Sequence, residues 1–386
     1  MRKLSSIFGV IAASLFAFTA QAQTGPIRIG VMFPVTGPVA SNGLPTRDAV
    51  KQAFEEENYQ VAGRKIELFY EDSQGRPDTG LTKIKALVER DKVHILVSEL
   101  VSSVGNAVAP YVNEQKIPWV NNIALAGLTR NLRSPYTFRF VPSSYQFGLT
   151  AAQWVKKQGW KKVYFIGWNA PPSREAYEAV KKVFGEENVV EALFPNVGTP
   201  DYAPYLAKMD PSKADGVLAA MWGSDSGRIT GQYAEYGLKA KMPLFGVASF
   251  ASEDVLSSFP LTAEGLMSAY TYCGTLDTPE NKRFVEGFTK RYKTMPGSYQ
   301  YMGYMAAKFT IQALKDINGR AEDREAFTAA LRKVQLKGPM GLASFDDRQG
   351  MVGDFYVLKV VNKGGQLQNE CVERIPQVKD PYDLFP

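Results

Sequence analysis

Two serines and a tryptophan carry the clearest chemical possibilities in this chain. Ser102 and Ser103 lie between an apolar run, Val93 to Val97, and a helix-spaced pattern, Val104 to Asn113. Hydroxyls beside the free N–H groups of a first helical turn form a site for a carboxylate. Serine is also a favoured cap of any helix, and the sequence alone supports either role. Trp222 directly follows the run Val217 to Met221. It reads as the apolar wall of a pocket or as part of a core, since large aromatics dominate both.

Catalytic chemistry finds little to work with. The single histidine, His94, falls inside Val93-His94-Ile95-Leu96-Val97 and reads as a strand residue, not a general base. Gly223-Ser224-Asp225-Ser226-Gly227 has the strand-to-helix setting of a nucleophile elbow, but Asp225 occupies the centre where that motif needs serine. With one His and two Cys, His-rich metal sites and CxxC clusters are excluded. The turn Gly37 to Gly43 has the wrong spacing for GxGxxG, and no Walker A, HExxH or EF-hand loop occurs. Acidic runs such as Glu55-Glu56-Glu57 and Asp346-Asp347 read as solvated faces. The chain is therefore read as a non-enzyme that needs neither cofactor nor metal.

The elements that must position these residues alternate along the chain. Ile27 to Phe33, Ile66 to Tyr70, Val93 to Val97 and Ile117 to Val120 are short apolar runs separated by helix-spaced stretches. That alternation implies crossovers and a parallel sheet. The pattern then starts afresh with a helix at Phe147 to Gln158 and strands at Val163 to Ile166, Val189 to Phe194, Val217 to Met221 and Leu244 to Val247. After Leu266 to Tyr272 come helices near Glu280 to Lys293, Tyr301 to Ile317 and Glu322 to Lys333, then a strand at Phe355 to Val361. The tail after Lys363, with Pro376, Pro381 and Pro386, reads as an extended strap. The fold class is α/β, with two units in tandem.

Size and composition agree: 386 residues, 45% hydrophobic and 22% charged, suit two globular domains. Residues 1–22 have the form of a secretory signal peptide. Arg2 and Lys3 start it, an apolar core runs from Ile7 to Phe18, and Ala20-Gln21-Ala22 provides a cleavage site after Ala22. Its core is too short to span a bilayer, so the product is expected in solution and not membrane-inserted. Export places Cys273 and Cys371 in an oxidising space. They either form a bridge or remain two separate buried thiols, and spacing does not choose between them. The formal charge of +6, diluted along the chain without a basic block, gives no case for nucleic acid.

The opening Ile29-Gly30-Val31-Met32-Phe33-Pro34-Val35-Thr36-Gly37-Pro38 resembles the start of type I periplasmic binding proteins, in particular the leucine/isoleucine/valine-binding branch of ABC importers. Further stretches agree in order. They are Ser102-Ser103 through Ala109-Pro110, Lys116-Ile117-Pro118, Leu128-Thr129 followed by Ser134 to Arg139, and Tyr304 to Leu314. The resemblance covers about Ile27 to Val361. It implies two Rossmann-like lobes, each a parallel sheet flanked by helices, joined by a three-crossing hinge near Phe140, Leu266 and Met340. Lobe one is then 27–140 plus 267–339, and lobe two 141–266 plus 340–386.

Such proteins close on a small solute and present it to a membrane permease, and this one is expected to act as a periplasmic monomer. The resemblance places a backbone donor at Ala124 and a hydroxyl residue where this chain has Leu125. It puts Asn42 at a first-lobe loop position that is often aromatic. Pro172 stands where a ligand-covering Tyr is common. The largest departure is Ala248, where amino-acid binders tend to carry the acid that pairs the ligand's ammonium. A buried ammonium without that partner costs several kcal/mol, which favours an aromatic or aliphatic acid over an amino acid. Asp225 or Glu253 remain as possible substitutes for the lost acid. The alternative function is a ligand sensor that presents its solute to a separate signalling partner.

Overall fold

A computed structural model describes residues 25–386. Residues 1–22, expected to be a signal peptide, lie outside the described residues. The first unit runs β1 (Ile27–Phe33), α1 (Ala40–Glu56), β2 (Gln60–Val61), β3 (Arg64–Asp72), α2 (Pro77–Lys85), β4 (Ile95–Ser98), α3 (Ser102–Glu114), β5 (Trp119–Asn121) and β6 (Thr137–Arg139). Its sheet has the order β2-β3-β1-β4-β5-β6, parallel except for the β2–β3 pair. Helices cover both faces of such a sheet, so a strand like Ile27–Phe33 is buried at every position but Arg28.

The second unit follows with α4 (Ser144–Lys157), β7 (Val163–Gly167), α5 (Pro171–Phe184), β8 (Val189–Leu193), α6 (Ala203–Leu206), β9 (Gly216–Ala220), α7 (Ser224–Glu235), β10 (Leu244–Val247) and β11 (Met267–Tyr270). The chain then supplies α8 (Pro279–Tyr292), α9 (Ser298–Asp316) and α10 (Arg324–Leu331), with α9 packed on α1 of the first unit. It returns to the second sheet through β12 (Gln335–Gly338), β13 (Gly341–Phe345), β14 (Met351–Lys363) and β15 (Gln366–Val378). That sheet is ordered β12-β13-β14-β11-β10-β9-β7-β8, with β15 paired to β14. The architecture is two helix-flanked, mostly parallel sheets linked by several chain crossings.

Three expectations change in detail. Residues 267–270 pair with β10 and β14, so a lobe division at 266/267 puts this strand with the wrong sheet. Met340 lies inside the β12–β13 hairpin, whose second strand pairs with β14, so residues 335–339 also belong with the second sheet. The tail after Lys363 is mostly the long strand β15, antiparallel to β14, and only residues 379–386 form a strap. Local pattern does not reveal which strand is a neighbour, and β15 is too exposed on one face to show a strand's apolar run.

The first crossing is fixed by Ser143 and Gln146 in a reciprocal cap at the start of α4. The Gln146 N–H donates to Ser143 Oγ (3.1 Å) and the Ser143 N–H to Gln146 Oε1 (2.7 Å). Phe138, Phe140, Phe309 and Phe345 pack around it with ring centroids 4.8–5.9 Å apart. α4 and α5 meet closely at Gly148, where a Cβ would stand 2.5 Å from the Ala176 carbonyl oxygen.

Beyond β15 the strap inserts Asp380 between Arg130 (2.8 Å) and Arg139, all three side chains being nearly or fully buried. Phe385 stacks on Tyr145 of α4 at 4.2 Å, and the Arg130 guanidinium lies over the rings of Tyr145 and Tyr382. The C-terminus thus touches both units. Cys273 and Cys371 are bridged, joining the segment after β11 to β15.

Candidate ligand-binding site

In sheets of this kind, ligands sit beyond the carboxyl ends of parallel strands. In the first unit the neighbouring strands β1, β4 and β5 end at Phe33, Ser98 and Asn121. This order brings the Asn42 loop, Ser102-Ser103 and Ala124-Leu125 to one edge. In the second unit β10, β9 and β7 are neighbours, which brings Ala248, Trp222 and Trp168 to one edge. Pro172 follows Trp168 at the start of α5.

Ser102 and Ser103 are the first two residues of α3. The residue before them, Val101, is extended and provides no side-chain cap. The capping role for serine is therefore not the one found, and both hydroxyls sit beside the opening N–H groups of the helix. Ser102 is half-buried and Ser103 exposed. Just upstream, Glu99 is fully buried and held at φ +72. Its Oε1 accepts the N–H groups of Leu100 (3.0 Å) and Val101 (2.8 Å), which fixes the turn that delivers Ser102. Burial pushes the Glu99 carboxyl up to about 7, against the pull of those hydrogen bonds and of the nearby Ser73 hydroxyl. Asp72, at the end of β3, shapes the next turn by accepting from the Val35 N–H (3.0 Å) and the Thr36 hydroxyl (2.5 Å). Burial works against its ionisation, but these bonds hold it below the usual carboxylate range.

Asn42 lies in the first turn of α1, half-buried, and its carbonyl accepts the Thr46 hydroxyl (2.6 Å). Ala124 is half-buried, and its carbonyl accepts the Ser144 N–H (3.3 Å). Leu125 leads a short turn and packs against the core of the first unit.

The second-unit wall is a pair of indoles. The rings of Trp168 and Trp222 stand edge to face at 5.1 Å. The Trp168 Nε1–H donates to Asp225 Oδ2 (2.8 Å), which also accepts the Gly198 N–H (2.7 Å), while Asp225 Oδ1 pairs with Arg228 (2.6 Å). Asp225 is thus committed and unfit to replace the acid missing at Ala248. Pro171 and Pro172 open α5 without N–H groups to offer, so this helix start is a poorer anion site than that of α3.

Glu175, one turn after Pro172, lies near Ser144 at the start of α4 and Ala126 of the first unit, and its Oε2 is buried without a hydrogen-bond partner. Burial pushes its carboxyl up to about 7 despite Arg130 and Arg139 nearby. Ala248 is buried with φ +57 and offers no polar side chain. Glu253 Oε1 accepts the Gly274 N–H (3.0 Å), and burial pushes that carboxyl up to about 7. Asp254 accepts the N–H (2.9 Å) and hydroxyl (2.7 Å) of Ser298 at the start of α9.

The named residues therefore form two groups, one per sheet, tied at one corner by the bond from the Ser144 N–H to the Ala124 carbonyl. Glu99, Trp168 and Glu175 were not singled out from sequence. Trp168 had a readable signal, since it follows Val163–Gly167 as Trp222 follows its own strand; burial of the two glutamates had none. His94 lies at the opposite, amino end of β4, where its Nδ1 accepts the Arg28 N–H (3.1 Å). Among the described residues no group of three or more His, Cys, Asp or Glu is placed to hold a metal, and no helix is long and apolar enough to cross a membrane.

Known proteins are similar in sequence and fold. The chain is 24% identical over 380 residues to "Leu/Ile/Val-binding protein homolog 6" of Brucella abortus (strain 2308), covering 96% of this chain and 97% of that one. An ABC transporter substrate-binding protein from Sphaerobacter thermophilus superposes with a TM-score of 0.88 at 32% identity, over 92% of this chain and 99% of that one. A solute-binding protein of an ABC transporter from Rhodopseudomonas palustris BisB5, in complex with 3,4-dihydroxybenzoic acid, gives 0.85 at 28% identity, over 93% and 99%. Residues 26–366 match the family model for periplasmic binding proteins, and the chain belongs to that family.

Proposed function

We propose that this protein is the solute-binding component of an ABC importer of the branched-chain amino-acid type whose solute is an aromatic carboxylic acid. The observation that carries this reading is Ala248. The ammonium-pairing acid expected there is missing, Asp225 is committed to Trp168 and Arg228, and Glu253 accepts the Gly274 N–H and is pushed toward its neutral form by burial. A zwitterion would bury its ammonium without a partner. In this reading Ser102, Ser103 and the Ala124 backbone hold the carboxylate, while Trp168, Trp222, Leu125, Pro172 and the Asn42 loop enclose the ring. The 3,4-dihydroxybenzoic acid bound by the Rhodopseudomonas neighbour belongs to the same chemical class.

The solute favours the closed arrangement because only there does it touch both lobes. The lobes are 27–139 with α8, α9 and α10, against 144–270 with β12 to β15. The mature monomer starts after Ala22, works in the periplasm and delivers its ligand to a membrane permease. Calorimetric titration with leucine, benzoate and a branched keto acid tests this. Micromolar binding of benzoate alone is expected, and micromolar leucine binding, about 8 kcal/mol, refutes it. In Ser102→Ala/Ser103→Ala the benzoate affinity falls at least tenfold; unchanged affinity removes the anion site.

A further inference from the structure

We infer that Trp222 selects a ligand whose far end, opposite the carboxylate, carries a hydrogen-bond acceptor; this rests on the aromatic-acid reading above. β7 and β9 are parallel neighbours in register Gly167 to Ala220, so Trp168 and Trp222 leave the sheet close together, at its ligand-facing end. Their indole N–H groups meet different fates. That of Trp168 is bound by Asp225. Asp225 already serves Gly198 and Arg228 as well. That of Trp222 is buried with no hydrogen-bond partner in the protein.

An indole nitrogen only donates, so no rotation or proton shift relieves it. Buried donors without partners are rare and mark places where something else completes the bond. The neighbouring strand end, Ala248, has no acceptor in its side chain. A ligand anchored by its carboxylate at Ser102 and Ser103 presents its other end to the second lobe, where a phenol, ether or carbonyl oxygen would complete the bond. A site built to bond such an oxygen discriminates against a ligand that has a methyl group in its place.

The test uses the mature full-length chain and Trp222→Phe, which keeps an aromatic wall and removes only the donor. Both are titrated with benzoate, 4-methylbenzoate, 4-hydroxybenzoate and 4-methoxybenzoate. The wild type is expected to bind the two oxygen-bearing ligands about five- to tenfold more tightly than 4-methylbenzoate, the worth of one neutral hydrogen bond. In the variant the four fall within about twofold of one another, whatever the change in their common affinity. Equal affinities in the wild type, or a preference surviving in the variant, overturn the inference while leaving the aromatic-acid reading intact. Absence of binding by all four overturns both.

Should the variant fail to fold, indole proton resonances of the wild type decide. One of the five tryptophan signals is expected to shift downfield with 4-methoxybenzoate and not with 4-methylbenzoate. No such difference refutes the assignment.

Discussion

Asp380→Asn removes the negative charge between Arg130 and Arg139 and keeps the shape of the side chain. The side chains of Asp380 and Arg139 have no solvent exposure and that of Arg130 has 8%. Breaking one partner of a buried ion pair typically costs about 3–5 kcal/mol, because the remaining charge stays in a poor solvent. Glu175 and Asp346 lie within electrostatic reach of Arg139, and both are held toward the protonated form by burial. Ionisation of either one softens the loss, which sets the expectation at the lower end, about 3 kcal/mol. Urea unfolding followed by fluorescence and circular dichroism measures it as a lower midpoint at unchanged slope. The triple variant Arg130→Met/Arg139→Met/Asp380→Leu removes all three buried charges, fills the same space with apolar groups and is expected to recover most of the loss. A loss below about 1 kcal/mol, the range of an exposed pair, would refute the argument. So would a triple variant as unstable as the single one.

Reduction of the Cys273–Cys371 bridge, or its replacement by two serines, opens a loop spanning 98 residues. Loop-closure entropy puts that loss at about 4–5 kcal/mol, and a thermal midpoint indifferent to reductant contradicts it. Glu99, Glu175 and Glu253 are held near 7 by burial, against 4.5 in the unfolded chain. As the pH rises from about 4.5 to 7 the unfolded chain releases protons that the folded chain keeps, so stability falls across that window and levels off above it. Each contributes up to ~3 kcal/mol. Thermal melts from pH 5 to 8 are expected to show this slope, reduced in Glu175→Gln; a slope of opposite sign, or one unaffected by the substitution, counts against it.

Much of the fold could be read because parallel strands covered on both faces announce themselves. Ile27–Phe33 and Leu244–Val247 carry their expected bounds, whereas α4 starts at Ser144, three residues before the expected Phe147. What stayed hidden depends on partners distant in sequence. β11 has the same local appearance whether it joins one sheet or the other. β15 alternates Glu370, Glu373 and Arg374 with half-buried residues and includes Pro376, so its pairing with β14 is invisible until β14 is placed. The places of Ser102, Ser103 and Trp222 at strand ends were legible because they follow apolar runs. Glu99 was not, since nothing in its letter distinguishes a solvated carboxylate from one buried to hold a turn. Asp225 looked available for a ligand until Trp168, Gly198 and Arg228 were seen around it.

The position of β14 has a consequence for biogenesis. β11 is sandwiched between β10 and β14, and β14 is made after every other strand of that sheet except β15. A nascent chain that lacks it carries a bare, sticky sheet margin where β14 later docks. The second sheet is therefore completed only once Met351–Lys363 has been made, and a chain built this way keeps that margin open while all its parallel strands are synthesised.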